Sequence, residues 1–201
     1  MIKVRFSGRI GNILLQNIGA SVISRKFNIK SIYKFEDKFK DLNLKLHKCD
    51  RIIEKVVTQF DSNLEGKSFY GSLIELLNRE EIHFGLDYDG TFQIKDFVLD
   101  YKDEILSHFN LIYDDQYQND LFIHVRLGDV TYLNPGFEYY KKCINESKYN
   151  RIFLSTDSPN HDLIKKLMSL YPINLYQNDE INTINFGKNF GTLILSKGTF
   201  S

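Results

Sequence analysis

The residues best equipped for chemistry are the histidine, arginine and aspartate of L-F-I-H-V-R-L-G-D-V, Leu121 to Val130. The run opens as an apolar, β-rich segment. On a strand, His124 and Arg126 point to one face while Ile123, Val125 and Leu127 point to the other. Gly128 then breaks the strand and sets Asp129 at its carboxyl end. A guanidinium in that place makes forked bonds to phosphate oxygens, which an ammonium does less well. The structural alternative is a buried Arg126–Asp129 ion pair with His124 satisfied in the core, an arrangement that is costly to desolvate.

Other segments offer groups suited to an anion. S-G-R-I-G-N, Ser7 to Asn12, joins a short strand, Ile2 to Phe6, to an apolar helix. Two glycines let the backbone approach a ligand, and a helix N-terminus offers unpaired N–H groups to phosphate. No Gly-Lys-Ser/Thr follows and the spacing is not G-x-G-x-x-G, so a plain tight turn stands beside the phosphate reading. F-L-S-T-D-S, Phe153 to Ser158, ends a strand in hydroxyls and a carboxylate. There Asp157 or Ser158 serves either a ligand or the N-cap of the next helix. In S-K-G-T-F-S, Ser196 to Ser201, Thr199 and Ser201 are donors and Gly198 allows close approach. Asp87-Tyr88-Asp89 spells D-x-D, a pattern that holds a divalent metal in one class of sugar transferases, but the Gly90 and Thr91 that follow read as a surface turn. His83 makes no cluster with it, and no metal site is expected.

These residues need elements to hold them. Ile10, Leu14, Ile18 and Val22 fall at four-residue spacing and give the first helix an inward face. Ile29 to Phe35 alternates and predicts a second strand. Helical stretches are expected around Asp50 to Phe60 and Ser72 to Glu81. A further amphipathic helix is expected from Ile94 to Phe109, with Phe97, Tyr101, Ile105 and Phe109 on one face. The acidic, amide-rich Tyr113 to Asp120 is the expected linker, between lobes at residues 1–115 and 121–201. Beyond it come a strand at Leu121 to Leu127, a helix at Gly136 to Glu146 and a strand at Arg151 to Ser155. A helix at His161 to Tyr171, a strand at Ile173 to Tyr176 and a strand at Leu193 to Leu195 follow. The alternation predicts an α/β fold with parallel sheet and crossover helices.

Composition narrows the partners. With 26 basic and 26 acidic residues the 201-residue chain has no global field to attract nucleic acid or an anionic membrane. Any anion must be held locally. No run approaches ~18 apolar residues and no signal-peptide core is present, so a cytoplasmic protein without a transmembrane segment is expected. Cys49 and Cys143 make neither a disulfide framework nor a metal spacing.

Taken in order, these segments resemble one family. G-R-I-G-N-I-L-L-Q-N, Gly8 to Asn17, resembles the G-x-L-G-N-Q-x-F-Q-Y opening of the α-1,2-fucosyltransferases, and H-V-R-L-G-D, His124 to Asp129, their H-V-R-R-G-D signature. G-T-F-Q-I-K-D-F, Gly90 to Phe97, resembles the glycine-aromatic-aromatic-Gln segment that precedes a helix. F-E-Y-Y-K-K-C-I resembles the Tyr-Tyr helix, F-L-S-T-D-S the F-S-D-D strand, and S-K-G-T-F-S the start of N-S-T-F-S-W-W.

The resemblance implies a GT-B-like α/β fold: two Rossmann-like lobes with mainly parallel sheets, acceptor side first and nucleotide-sugar side second. It implies inverting, metal-independent transfer of L-fucose from GDP-fucose, a donor substrate rather than a cofactor, to a glycan hydroxyl, α-1,2 to a galactose-type acceptor. Carried over, Arg126 binds the diphosphate and His124 supports that site. Gly11 and Asn12 line the donor cleft from the first lobe, and Asp157, Thr199 and Ser201 belong to the nucleotide side. Asp129 is the nearest candidate to deprotonate the acceptor hydroxyl, or else it orients Arg126.

The chain also departs from the family. Leu127 stands where many members carry a second arginine, and Ile13, Leu15 and Asn17 replace the Gln, Phe and Tyr of the first motif. After Ser201 the family continues through paired tryptophans, so two readings stand: a fragment whose C-terminal lobe is incomplete, or a minimal variant of the fold. Two other readings stay open: a transferase using another nucleotide sugar, or an inactive glycan- or nucleotide-binding relative.

Overall fold

The computed structural model describes residues 1–6, 8–60, 73–89, 92, 95–110, 112–128, 132 and 134–196, with main chain alone at 38, 40, 41, 57–60, 88 and 89. The chain divides into two compact units, Met1–Leu111 and Ile112–Ser201. Both are α/β units built on parallel sheets, as the alternation of elements predicts.

In the first unit β1 (Ile2–Val4), β2 (Val56–Phe60) and β3 (Gly85–Asp89) form a sheet of order β1-β3-β2. Helix α1 (Ile10–Phe27) is enclosed on nearly all sides, because Ile13, Leu14, Ile18, Val22 and Ile23 share burial with Gln16, Asn17, Ser21 and Ser24. Its buried polar groups tie down neighbouring loops, which satisfies donors and acceptors that burial would otherwise strand. Asn17 pairs with the main chain of Lys34, donating to its carbonyl at 2.7 Å and accepting from its N–H at 3.0 Å. Gly19 gives the Phe92 ring room: a Cβ there would lie 2.3 Å from Phe92 Cδ1. The helix ends where Asn28 turns left-handed at φ 50°, with Arg25 and Lys26 in the last turn, favourable placements for cations at a helix C-terminus.

Four expectations for this unit need correction. Ile29 to Phe35 contributes only a bridge from Ser31 to Ile2, because the chain leaves the sheet with Ile32 exposed and Phe35 at φ 58°. The helix expected around Asp50 to Phe60 is instead β2; the β-branched Val56, Val57 and Thr58 favour a pleated surface over a helix. The D-x-D segment is no surface turn but lies in β3, the central strand, where Leu86 is buried and Asp87 alternates outward. The helix of 94–109 is two, α2 (Lys95–Asp100) and α3 (Lys102–Ser107), interrupted at Tyr101. Phe97 and Ile105 still face inward together.

The second unit is the four-stranded sheet β6-β5-β4-β7, with β4 (Leu121–Val125), β5 (Ile152–Thr156), β6 (Ile173–Leu175) and β7 (Thr192–Leu195). Helices α4 (Phe137–Glu146) and α5 (Asp162–Leu170) cover one face. Tyr140, Ile144, Ile164 and Leu167 pack there on Leu121, Ile123, Val125, Ile152, Leu154 and Ile194. The opposite face carries Phe122 and Phe153, which meet Phe186 of α6 (Glu180–Gly187) at 5.9 and 5.6 Å between ring centres. Helix α6 was not expected from its β-branched and Asn-rich sequence. It starts because the Asp179 side chain accepts from Asn182 N, a capping bond.

The segment expected as a linker, Tyr113 to Asp120, is folded into this unit. Tyr117 stacks on Phe190 with ring centres 5.0 Å apart. The buried Asp120 carboxylate accepts from Arg151 N and Nε, each at 3.0 Å. Among the described residues, no helix is long and apolar enough to cross a membrane. Cys49 and Cys143 are both free thiols, half-buried.

Candidate functional site

The second sheet fixes where a ligand site belongs. The chain steps outward from β4 to β5 and β6, then returns over the other face through α6 to place β7 on the far side of β4. Strand order therefore reverses between β4 and β7. In open parallel sheets ligands bind outside the carboxyl ends of the strands at such a reversal. His124 and Arg126 stand at that end of β4, where His124 is in register with Ser155 of β5 and Leu195 of β7, and Ser196 follows just past β7. The apolar positions Ile123, Val125 and Leu127 are buried, and His124 and Arg126 are half-buried on the alternate face. The alternation expected along this run is the one observed.

Beyond β4 the sheet ladder stops, and side chains take over the main-chain polar groups. Arg126 N donates to Ser196 Oγ at 3.2 Å, and Asn134 Nδ2 donates to the Arg126 carbonyl at 3.3 Å. The Asp157 carboxylate, at the end of β5, accepts from Leu127 N at 2.8 Å and from Gly128 N at 3.1 Å. Ser158 Oγ donates to the same carboxylate at 3.2 Å. Helix α5 is capped by His161, whose Nδ1 accepts from Leu163 N at 3.1 Å, so neither Asp157 nor Ser158 acts as the cap.

Under this turn lies the buried Tyr140, whose hydroxyl accepts from Asn134 Nδ2 at 3.0 Å. Burial pushes its phenol up to about 12, while hydrogen bonds from Asn134 and Ser196 work in the opposite direction. Gly136, which opens α4, has φ 86° and ψ 172°, a region open essentially to glycine alone. Asn134, Tyr140 and Ser196 were not singled out from sequence as site residues. Asn134-Pro135-Gly136 is a turn signal that marks the first of them, and Ser196 opens the hydroxyl-rich segment already noted.

The other expected site residues fall elsewhere. Gly11 and Asn12 lie in the first turn of α1, in the first unit. Gly8 before them has φ 82°, and a Cβ there would lie 2.1 Å from Asn12 Nδ2, so this tight turn requires glycine. Asp129, Thr199 and Ser201 lie outside the described residues. The structure thus brings His124, Arg126 and Asp157 together in one unit and carries Gly11 and Asn12 in the other. In the D-x-D segment, Asp87 accepts from Arg5 Nη2 at 3.2 Å, a partly exposed ion pair. Among the described residues no cluster of three or more His, Cys, Asp or Glu is arranged to hold a metal ion.

Comparison of the chain with protein-family models, curated proteins and solved structures gave no match.

Proposed function

We propose that the chain is a glycosyltransferase that moves L-fucose from GDP-fucose to a hydroxyl of a galactose-type glycan, with the GT-B-like arrangement that the six family-like segments imply. The observation that carries the reading is Arg126 at the carboxyl end of β4, beside the β4–β7 reversal. In the reaction the acceptor oxygen bonds to the anomeric carbon as the bond from that carbon to the phosphate oxygen breaks. The electron pair leaves with GDP, and the acceptor proton passes to a base. Negative charge therefore builds on the diphosphate, and a preorganised guanidinium meets it where it develops. His124 on the same face supports Arg126. Asp129 is the candidate base, with orientation of Arg126 as its other role.

Thermal unfolding with GDP, UDP and ADP, with and without a chelator, tests the assignment. GDP at about a hundredfold excess over its dissociation constant is expected to add ~2.7 kcal/mol of stability. The effect should be selective for GDP, insensitive to chelator and lost in Arg126→Ala. UDP selectivity would assign another sugar nucleotide. Binding without GDP release from GDP-fucose, over a set of galactose-terminated acceptors, would assign a non-catalytic relative. An Arg126→Ala protein with activity within about threefold of wild type, only ~0.7 kcal/mol in barrier, would refute the role of the arginine.

A further inference from the structure

The Asp157 carboxylate faces the turn after β4 with both oxygens. Oδ1 accepts from Leu127 N at 2.8 Å, from Gly128 N at 3.1 Å and from Ser158 Oγ at 3.2 Å, and Oδ2 accepts from Gly128 N at 3.1 Å. A carboxylate offers about four lone-pair sites, so these bonds use most of its capacity. Gly128 is what lets the two approach: a Cβ there would lie 2.9 Å from Oδ2. The neighbouring peptide groups of Arg126 are held by Ser196 on one side and Asn134 on the other. A carboxylate turned toward N–H donors also shows less of its charge to a nearby anion than one pointing outward.

We infer that Asp157 is a positioning residue: its carboxylate fixes the Leu127–Gly128 turn so that Arg126 meets the diphosphate, and it is not itself a ligand of the nucleotide. The inference rests on the reading of Arg126 as the diphosphate contact. It replaces the nucleotide-side role that the family resemblance implies for Asp157. Charge-assisted bonds to consecutive N–H groups are short and directional, which suits them to fixing a turn. Small displacements of a binding group are enough to degrade a site of this kind.

Four proteins test it: wild type, Asp157→Ala, Arg126→Ala and the double variant. The measurements are GDP affinity by calorimetry and the unfolding midpoint without ligand. Asp157 is exposed, so the variants are expected to fold; Asp157→Asn takes the place of Asp157→Ala in the cycle if the alanine protein does not. Asp157→Ala is expected to weaken GDP about tenfold or more, and the double variant to bind within about twofold of Arg126→Ala alone, since a residue acting through Arg126 has nothing to act on once it is gone. Asp157→Asn should fall between, because its oxygen still serves Leu127 N while its NH2 confronts Gly128 N–H. A loss of the same size in both backgrounds would show a direct nucleotide contact and overturn the inference. So would wild-type affinity in Asp157→Ala. Failure of the wild-type protein to bind GDP would instead refute the reading of Arg126, and the inference with it.

Discussion

The buried imidazole of His108 is expected to make the first unit sensitive to acid. The ring is fully buried, with Nδ1 2.8 Å from the Glu104 carbonyl and Nε2 2.8 Å from Ser21 Oγ. A carbonyl only accepts, so Nδ1 carries the proton and Nε2 accepts from the serine hydroxyl. Ser21 Oγ in turn accepts from His47 N at 2.8 Å. Burial lowers the pKa of the imidazole below its usual range, the bond to Glu104 opposes this, and the Arg25 and His47 charges reinforce it. The folded state thus binds the proton less readily than the unfolded chain. Stability is fully present above the unfolded value near 6.5 and falls as pH drops from there toward the folded value. One such group contributes a slope of at most about 1.4 kcal/mol per pH unit.

The assay is urea unfolding at a series of pH values from neutral to about 5, for wild type and His108→Gln. Glutamine keeps a donor and an acceptor but does not titrate. Carboxylates shift both proteins alike, so the difference in slope isolates the imidazole. Wild type is expected to lose stability more steeply than the variant across that window, by no more than the ~1.4 kcal/mol per pH unit that one group can contribute. Equal slopes, or a wild type that gains on the variant as pH falls, would refute the reasoning.

Two further perturbations read the packing directly. Gly19→Ala drives a methyl group into the buried Phe92 ring and is expected to cost about 1–3 kcal/mol by overpacking, read from the urea midpoint. Tyr140, with its phenol pushed up to about 12, favours the neutral form when folded. Its contribution is present below the ordinary tyrosine value near 10 and is lost as pH rises from there toward 12. Tyr140→Phe should flatten that alkaline decline relative to wild type.

The second unit was the more legible from sequence because its elements follow one another closely and carry local signals. Leu121–Val125, Ile152–Thr156 and Asp162–Leu170 lie within a residue or two of the expected ranges. The alternation of His124 and Arg126 against Ile123 and Val125 was readable because period-2 burial is a local property. The bonds around this turn were not, since Ser196 reaches Arg126 from 70 residues away and Asp157 reaches Leu127 from 30. Asp157 showed a carboxylate at a strand end, which fits a ligand, a cap or a brace equally until the donors facing it are known. In the first unit the D-x-D letters suggested a turn because Asp and Gly are common there. Only pairing with β1 and β2 on either side makes Gly85–Asp89 a central strand. His108 and Ser21, 87 residues apart, gave no local sign of their contact.

The register of β1 has a consequence during synthesis. Ile2 pairs with Leu86, so the first strand leaves the ribosome long before its partner exists. At about 5–20 residues per second that wait is roughly 4–17 s. Throughout it α1, with its apolar side chains, has been made while the central strand of its sheet has not. The second unit is spared only in part: Leu121 pairs with Ile152 soon after, but its other neighbour, Thr192 of β7, is made 71 residues later. In the first unit the outer strand β1 waits for the centre of its sheet, whereas in the second β4 gains β5 early and only the side taken by β7 stays open until the end.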